Sequence, residues 1–420
     1  MKAFFVILLL LPAAMRAAEP VKTFDVRHYG AKGDGLSFDT TAIQSAIDAC
    51  ATAGGGRVEL PGGTYLTKPL ILKGNNLTFQ IDDGAILQGS DQFADYDKPD
   101  HAAGAMSLIS AKGLTNLTLL GPGTIDGAGD KWWPEVRAAK KSGQPEPRPR
   151  PRLVSLSHCP NLRVENITLQ SSPSFHLVPA DCENVTIDSV NIRAPADSPN
   201  TDAIDPYNCR HLHIFQCVLD VGDDNIALKS GSVDPDHPLA ACSDILVESC
   251  TFQHGHGLSI GSETVGGIKD LTVRNCVFLG TTSGIRIKSG RKRGGTVSNC
   301  VYSDLVMTDV KTPVNISCYY PKVPATDTNQ PVTDLTPHFQ DITITNLTAT
   351  GAEVAGQLIG LPESPVDGFL MEHVTITAQT GFAVRNARKV RFKAAAIATA
   401  DGHAFTMQNA QILGFGNNGQ

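Results

Sequence analysis

Four stretches of the chain repeat one pattern: CPNLRVENITLQ (159–170), CENVTIDSVNIR (182–193), CRHLHIFQCVLD (209–220) and CSDILVESCTFQ (242–253). Each opens on Cys and places apolar residues three, five, eight and ten positions later. A fifth copy, around Leu271, keeps the apolar positions without the leading Cys, and weaker copies begin at Asn116, Gly295, Asp341 and Phe369. With Leu162, Val185, Leu212, Ile245 and Leu271 as markers, the clear copies are 23, 27, 33 and 26 residues apart. Units of this length, made of short period-2 segments and turns, belong to a solenoid. No helical period runs inside them. The expected fold is all-β, a right-handed parallel β-helix whose rungs stack at about 4.8 Å.

The stretch DTTAIQSAIDACATAGGG (39–56) has Asp39 in N-cap position, one apolar face (Ala42, Ile43, Ala46, Ile47, Cys50) and glycines to stop it. It reads as an amphipathic helix that covers the open end of the solenoid. Upstream, Lys2 and the apolar run Ala3–Leu11 read as an export signal. That run is too short to span a bilayer. The expected organisation is a signal peptide at 1–18, a cap segment at 19–60 and a single β-helix catalytic domain at 61–420. The Pro-rich basic segment KKSGQPEPRPRPR (140–152) reads as a loop between rungs. The chain is expected to be secreted or periplasmic, without a membrane span, and monomeric.

The composition fits. Among 420 residues are 39 Gly and 26 Pro, suited to many turns, and the formal net charge of −7 argues against nucleic acid as a partner. Eight of ten cysteines are expected on two repeat positions: Cys159, Cys182, Cys209 and Cys242 on the first, Cys217, Cys250, Cys276 and Cys300 on the second. There they behave as small buried hydrophobes, and stacked thiols are expected over bridges. No C-x-x-C pair exists, so no metal is expected. Six N-x-S/T sequons (Asn76, Asn116, Asn166, Asn184, Asn315, Asn346) are read as by-products of strand alternation.

The same register gathers chemistry. SPNTDAIDP (198–206) carries Asp202, and VGDDNIALKSG (221–231) carries Asp223 and Asp224. HGHGLSIGSE (254–263) carries His256, six residues after Cys250, as Asp223 is six after Cys217. SGIRIKSG (283–290) carries Arg286 and Lys288. Four consecutive rungs thus place acids, a histidine and two cations on one side, in a column on the order of 15 Å tall. Taken singly, each residue would pass for a solvated turn or strand side chain; their shared register points to one site. Glycosidic cleavage takes one carboxylic acid to protonate the leaving oxygen and one carboxylate to act on water or the anomeric carbon. Clustered aspartates favour that division, because like charges oppose joint ionisation.

These four motifs, with the lead-in PRLVSLSHCPNLRVENITLQSSPSFHLVP (151–179), resemble the polygalacturonases, glycoside hydrolase family 28, from about Phe24 to Val374. The resemblance implies hydrolysis of α-1,4-galacturonan with inversion and without a cofactor. Carried over, Asp223 is the general acid, Asp202 and Asp224 position and activate water, and His256 supports the acid. Arg286 and Lys288 bind a substrate carboxylate, with Asn200 and His176 as further sugar contacts. Asn225 stands where many members have Cys, and Ala203 where Gly is usual. Rhamnogalacturonan or xylogalacturonan hydrolases share the aspartates and are the alternative. A calcium-dependent pectate lyase and a non-catalytic polysaccharide-binding β-helix are more distant ones. The aromatic and basic segment Gly129–Pro151 is expected to wall off one end of the groove and favour action at chain ends.

Overall fold

The computed structural model of the chain describes residues 21–99, 103–231 and 240–415. The expected export signal lies outside the described residues. Every pairing between successive strands is parallel, each turn of chain returning to pair with the turn before it. The result is the right-handed parallel β-helix.

The repeat markers become a ladder. Leu162, Val185, Leu212, Ile245 and Leu271 pair in succession, and all are buried. Side chains alternate across a strand, so one residue in two turns into the coil, and stacked Ile, Leu and Val fill it. The rungs have three faces. One holds Pro160–Glu165, Glu183–Asp188, Arg210–Phe215 and Cys242–Glu248. A second holds Thr168–Gln170, Asn191–Arg193, Val218–Asp220 and Thr251–Gln253. The third, which carries the site, runs through Ile109–Lys112, Val154–Ser157, Leu177–Ala180, Asp224–Ser230, His256–Thr264, Ser283–Lys288 and Thr312–Ser317. Ile204 bridges Leu177 to Ile226 and carries that face across the rung between them.

All ten cysteines are buried free thiols. In the first ladder the Cys159 N–H points at Cys182 Sγ at 3.4 Å. Cys300 departs from its expected position: it pairs with Leu271 and Ile342, in the marker ladder, while Leu305 follows Cys276. The Gly295 copy is therefore shifted in register relative to a count from its cysteine.

Five of the six sequon asparagines, Asn76, Asn116, Asn166, Asn184 and Asn346, owe their place to a positive φ, and Asn315 alone sits at an alternating strand position, in Thr312–Ser317. Asn76, Asn116 and Asn184 stand at the turn into the first face with φ of 56°, 57° and 55°, in the left-handed region that Asn tolerates better than most residues. Their amides stack into a ladder with Asn161: Asn116 donates to Asn76 (2.7 Å), Asn161 to Asn116 (2.9 Å) and Asn184 to Asn161 (3.0 Å).

Helix α1, Thr40–Thr52, covers the N-terminal end with the expected face buried. Asp39 precedes it but does not cap it; its carboxylate accepts from the Lys32 and Gly33 N–H groups at 2.7 and 3.1 Å. Helix α2, Trp133–Ser142, lies where a loop was expected to begin, and ends at Gly143 with φ 66°. It is inserted in the turn that leads into the third face. Trp133 Nε1 donates to Ser172 O at 3.1 Å, and Trp132 meets the Phe93 ring at 4.6 Å, fixing the insertion to the barrel wall.

Candidate active site

The turns that lead into the third face differ in length from rung to rung, and they carry the polar residues. Backbone pairing sets Asp202 beside Asp224, since Ala203 N donates to Asp224 O at 2.9 Å and Ile204 pairs with Ile226. Asp224 pairs in turn with His256. A count of six from each cysteine puts Asp223 opposite His256, but the Asp223 turn is one residue longer, so Asp224 takes that place. Arg286 pairs with Ser259, which pairs with Ala227; the two cations are three to five residues further along the strands than the acids.

They reach back. Arg286 Nη1 donates to Asp224 Oδ1 at 3.0 Å, Lys288 Nζ to Oδ2 at 2.6 Å, and Ser259 Oγ to Oδ1 at 2.7 Å. Burial works against charge on Asp224, but Lys288 and Arg286 outweigh it and hold the carboxyl well below the usual range. Only one Arg286 N–H group is spent this way, and its side chain keeps 16% exposure. Asp202 contrasts with Asp224. Burial, then the neighbouring charges of Asp205 and Asp223, raise it well above the ordinary carboxylate range. Its Oδ1 is buried and accepts no hydrogen bond among the described residues.

Asp223 is the exposed acid, with a quarter of its side chain open to solvent. Its Oδ1 accepts from Asp224 N at 3.0 Å and lies 3.9 Å from His256 Nε2; Asn200 Nδ2 approaches Oδ2 at 3.4 Å. The other ring nitrogen of His256 bonds Thr282 Oγ1. Burial first, then Arg286, depress the basicity of this imidazole. Asn200 Oδ1 accepts from Lys140 (2.8 Å) and Arg150 (2.9 Å), so the α2 insertion borders the acid.

Asp202, Asp223, Asp224, His256, Arg286, Lys288 and Asn200 therefore come together. His176 does not join them in the groove. It is fully buried, its Nε2 accepts from Ser172 N at 3.3 Å, and its Nδ1 donates to Asp202 O at 3.1 Å. Both nitrogens are committed, and burial lowers its pKa to about 4. It is a neutral prop under the Asp202 backbone, buried rather than exposed for the sugar contact expected of it. Three residues were missed. Thr282 is six residues after Cys276, the same count that picked out His256. Asp205 and Lys229 lie inside the quoted motifs, and only their burial distinguishes them.

Residues 50–396 match the family described as glycosyl hydrolases family 28. The chain belongs to that family. This family-28 glycosidase is 30% identical to the endo-polygalacturonase of Pectobacterium carotovorum subsp. carotovorum over 83% of its own length and 86% of the relative's. It superposes on the polygalacturonase of Erwinia carotovora ssp. carotovora with a TM-score of 0.75 and 28% identity, covering 89% of this chain and 98% of that one. The family 28 exopolygalacturonase of Yersinia enterocolitica shares the fold at a TM-score of 0.80 and 23% identity, covering 94% and 78%.

Asp223, Asp224 and His256 offer ligand atoms within 4.8 Å of one another, a spacing that suits a metal ion. Two protein cations already neutralise Asp224, however, and a divalent ion there would face Arg286 and Lys288. Calcium prefers six to eight oxygen ligands free of such competition.

Proposed function

We propose that this glycosidase hydrolyses α-1,4-galacturonosyl bonds of pectic galacturonan with inversion of configuration. The observation that carries the reading is the division of labour among three aspartates. Asp223 stands exposed toward the groove beside His256, as a proton donor to a leaving oxygen must. Asp202 and Asp224 lie behind it, Asp224 held as a carboxylate by two cations, where they orient and deprotonate a water. His256, its far nitrogen tied to Thr282, keeps its near nitrogen toward Asp223 and supports the acid. Arg286 and Lys288 supply local positive charge in a chain of net charge −7, and their unspent N–H groups receive the carboxylate of a galacturonate unit. Asn200 contacts sugar next to the acid.

The α2 insertion supports action at chain ends. Lys140 and Arg150 converge on Asn200, and Arg150 also donates to Pro199 O (2.6 Å) and Pro173 O (2.8 Å), which ties the segment beside Asp223. Lys2 and the apolar run Ala3–Leu11 support export, which would bring the enzyme to its polymer outside the cytoplasm. No helix among the described residues is long and apolar enough to cross a membrane.

Incubation with polygalacturonic acid, and in parallel with rhamnogalacturonan and xylogalacturonan, tests the reading. New reducing ends on polygalacturonic acid, with the β-anomer first by NMR, are expected; early α-anomer refutes inversion, and activity on the other backbones alone refutes galacturonan as substrate. A single small product from the first minutes supports chain-end action, whereas a ladder of oligomers rejects it.

A further inference from the structure

Below Asp202 lies an ion pair that the proposed chemistry does not use. Lys229 Nζ donates to Asp205 Oδ2 and stands 3.8 Å from Asp202 Oδ2. Asp205 is completely buried, and the Lys229 side chain is 7% exposed. The Phe175 and Tyr207 rings lie over the ammonium at 4.5 and 5.5 Å and shut it off from water. Asp205 Oδ1, like Asp202 Oδ1, is buried without a hydrogen-bond partner among the described residues.

A buried pair of this kind is a poor way to stabilise a fold, because apolar side chains of similar volume serve as well or better. Its place beside Asp202 suggests another role. Four carboxylates, Asp202, Asp205, Asp223 and Asp224, face three cations, Lys229, Arg286 and Lys288. The last two close on Asp224. The remaining titratable groups nearby are Tyr207, its phenol pKa raised by burial and its ring over the ammonium; His256, on the Asp223 side; and His176, a neutral imidazole beneath the Asp202 backbone. Among the described residues Lys229 is thus the cation within 4 Å of Asp202, and it is shared with Asp205.

We propose that Lys229 and Asp205 are positioning residues that set the charge on Asp202: the ammonium favours the ionised carboxylate, and Asp205 competes for the same ammonium. The proposal rests on Asp202 as a carboxylate that activates water. Asp205 is itself raised to about 6 by burial, which Lys229 partly offsets, consistent with two acids that share one counter-charge. Because water-activating Asp202 must be ionised, the pair sets where activity fades as pH falls.

Two variants test this without stranding a second uncompensated carboxylate. Asp205→Asn gives the ammonium to Asp202 alone, and the acidic limb of kcat on polygalacturonic acid is expected to move to lower pH. Adding Lys229→Met to Asp205→Asn removes only the ammonium, and the limb is expected at least about one pH unit above that of the single variant. Thermal melts establish that both are folded. The same two variants, labelled with 13C-aspartate, give the Asp202 carboxyl titration by NMR without any turnover. Titrations that move in the stated order while the activity limb stays fixed uphold the pair and reject Asp202 as the water-activating group. Coincident Asp202 titrations in the two variants overturn the proposal, whatever the activity does.

Discussion

Two turns of each rung meet different demands. The turn into the first face repeats with little change: Asn76, Asn116, Asn161 and Asn184 adopt the same left-handed backbone and join in one amide ladder. The turn into the third face is different on successive rungs, carrying α2 on one, the Asp202 motif on a later one, then the Asp223 and His256 turns. Regularity gives the inner asparagines, Asn116 and Asn161, a partner above and below. Irregularity lets side chains from several rungs converge on one point. The first turn should therefore govern stability and the second chemistry, and substitutions can separate the two.

The largest effect is expected on the chemical side. Asp223→Asn should lower kcat by roughly 10²–10⁴-fold, the range for a general acid, and leave the melting temperature close to the parent's. Activity within a few-fold of the parent would remove Asp223 from the mechanism.

Next is a stability effect inside the site turn, which would sharpen the division. His176 has a folded pKa of about 4 against about 6.5 unfolded, so the unfolded chain binds more protons between those values. Its contribution is fully present above pH 6.5 and is lost as pH falls toward 4, on the order of 3 kcal/mol in all. In chemical denaturation, the stability gap between the parent and His176→Gln should narrow from pH 7 to pH 4.5. A gap independent of pH means that the imidazole is not held neutral.

Arg286→Gln tests whether a residue tied to Asp224 also reads substrate. Loss of a charge-assisted bond worth about 1.5–3 kcal/mol predicts a roughly tenfold to hundredfold fall in kcat/KM on demethylated galacturonan, and a smaller fall on esterified pectin. Equal falls on both substrates confine Arg286 to holding Asp224.

The smallest effect is expected in the regular turn. Asn161→Ala removes two exposed ladder bonds and puts Ala at φ 58°, at a cost of about 2 kcal/mol, the low end of both contributions. The melting temperature should drop while kcat holds. A matching loss of activity would show that the two turns are coupled.

The sequence alone determined the solenoid, the end-capping face of α1, and the acids, histidine and cations of the site. These follow from periodicity: a side chain every second residue and a unit every 23 to 33 residues leave a pattern that survives without coordinates. The tertiary structure decided what counting cannot. One extra residue in the Asp223 turn moves Asp224 opposite His256, and a register shift takes Cys300 out of the ladder expected for it. Burial took His176 out of the groove and turned Asp205 and Lys229 into a shared charge under Asp202. Arg286 and Lys288 were legible as cations, but their closure on Asp224 was not, because it spans two rungs. Periodicity records which face a residue takes; turn length, desolvation and the choice among competing charge partners exist only once the rungs are stacked.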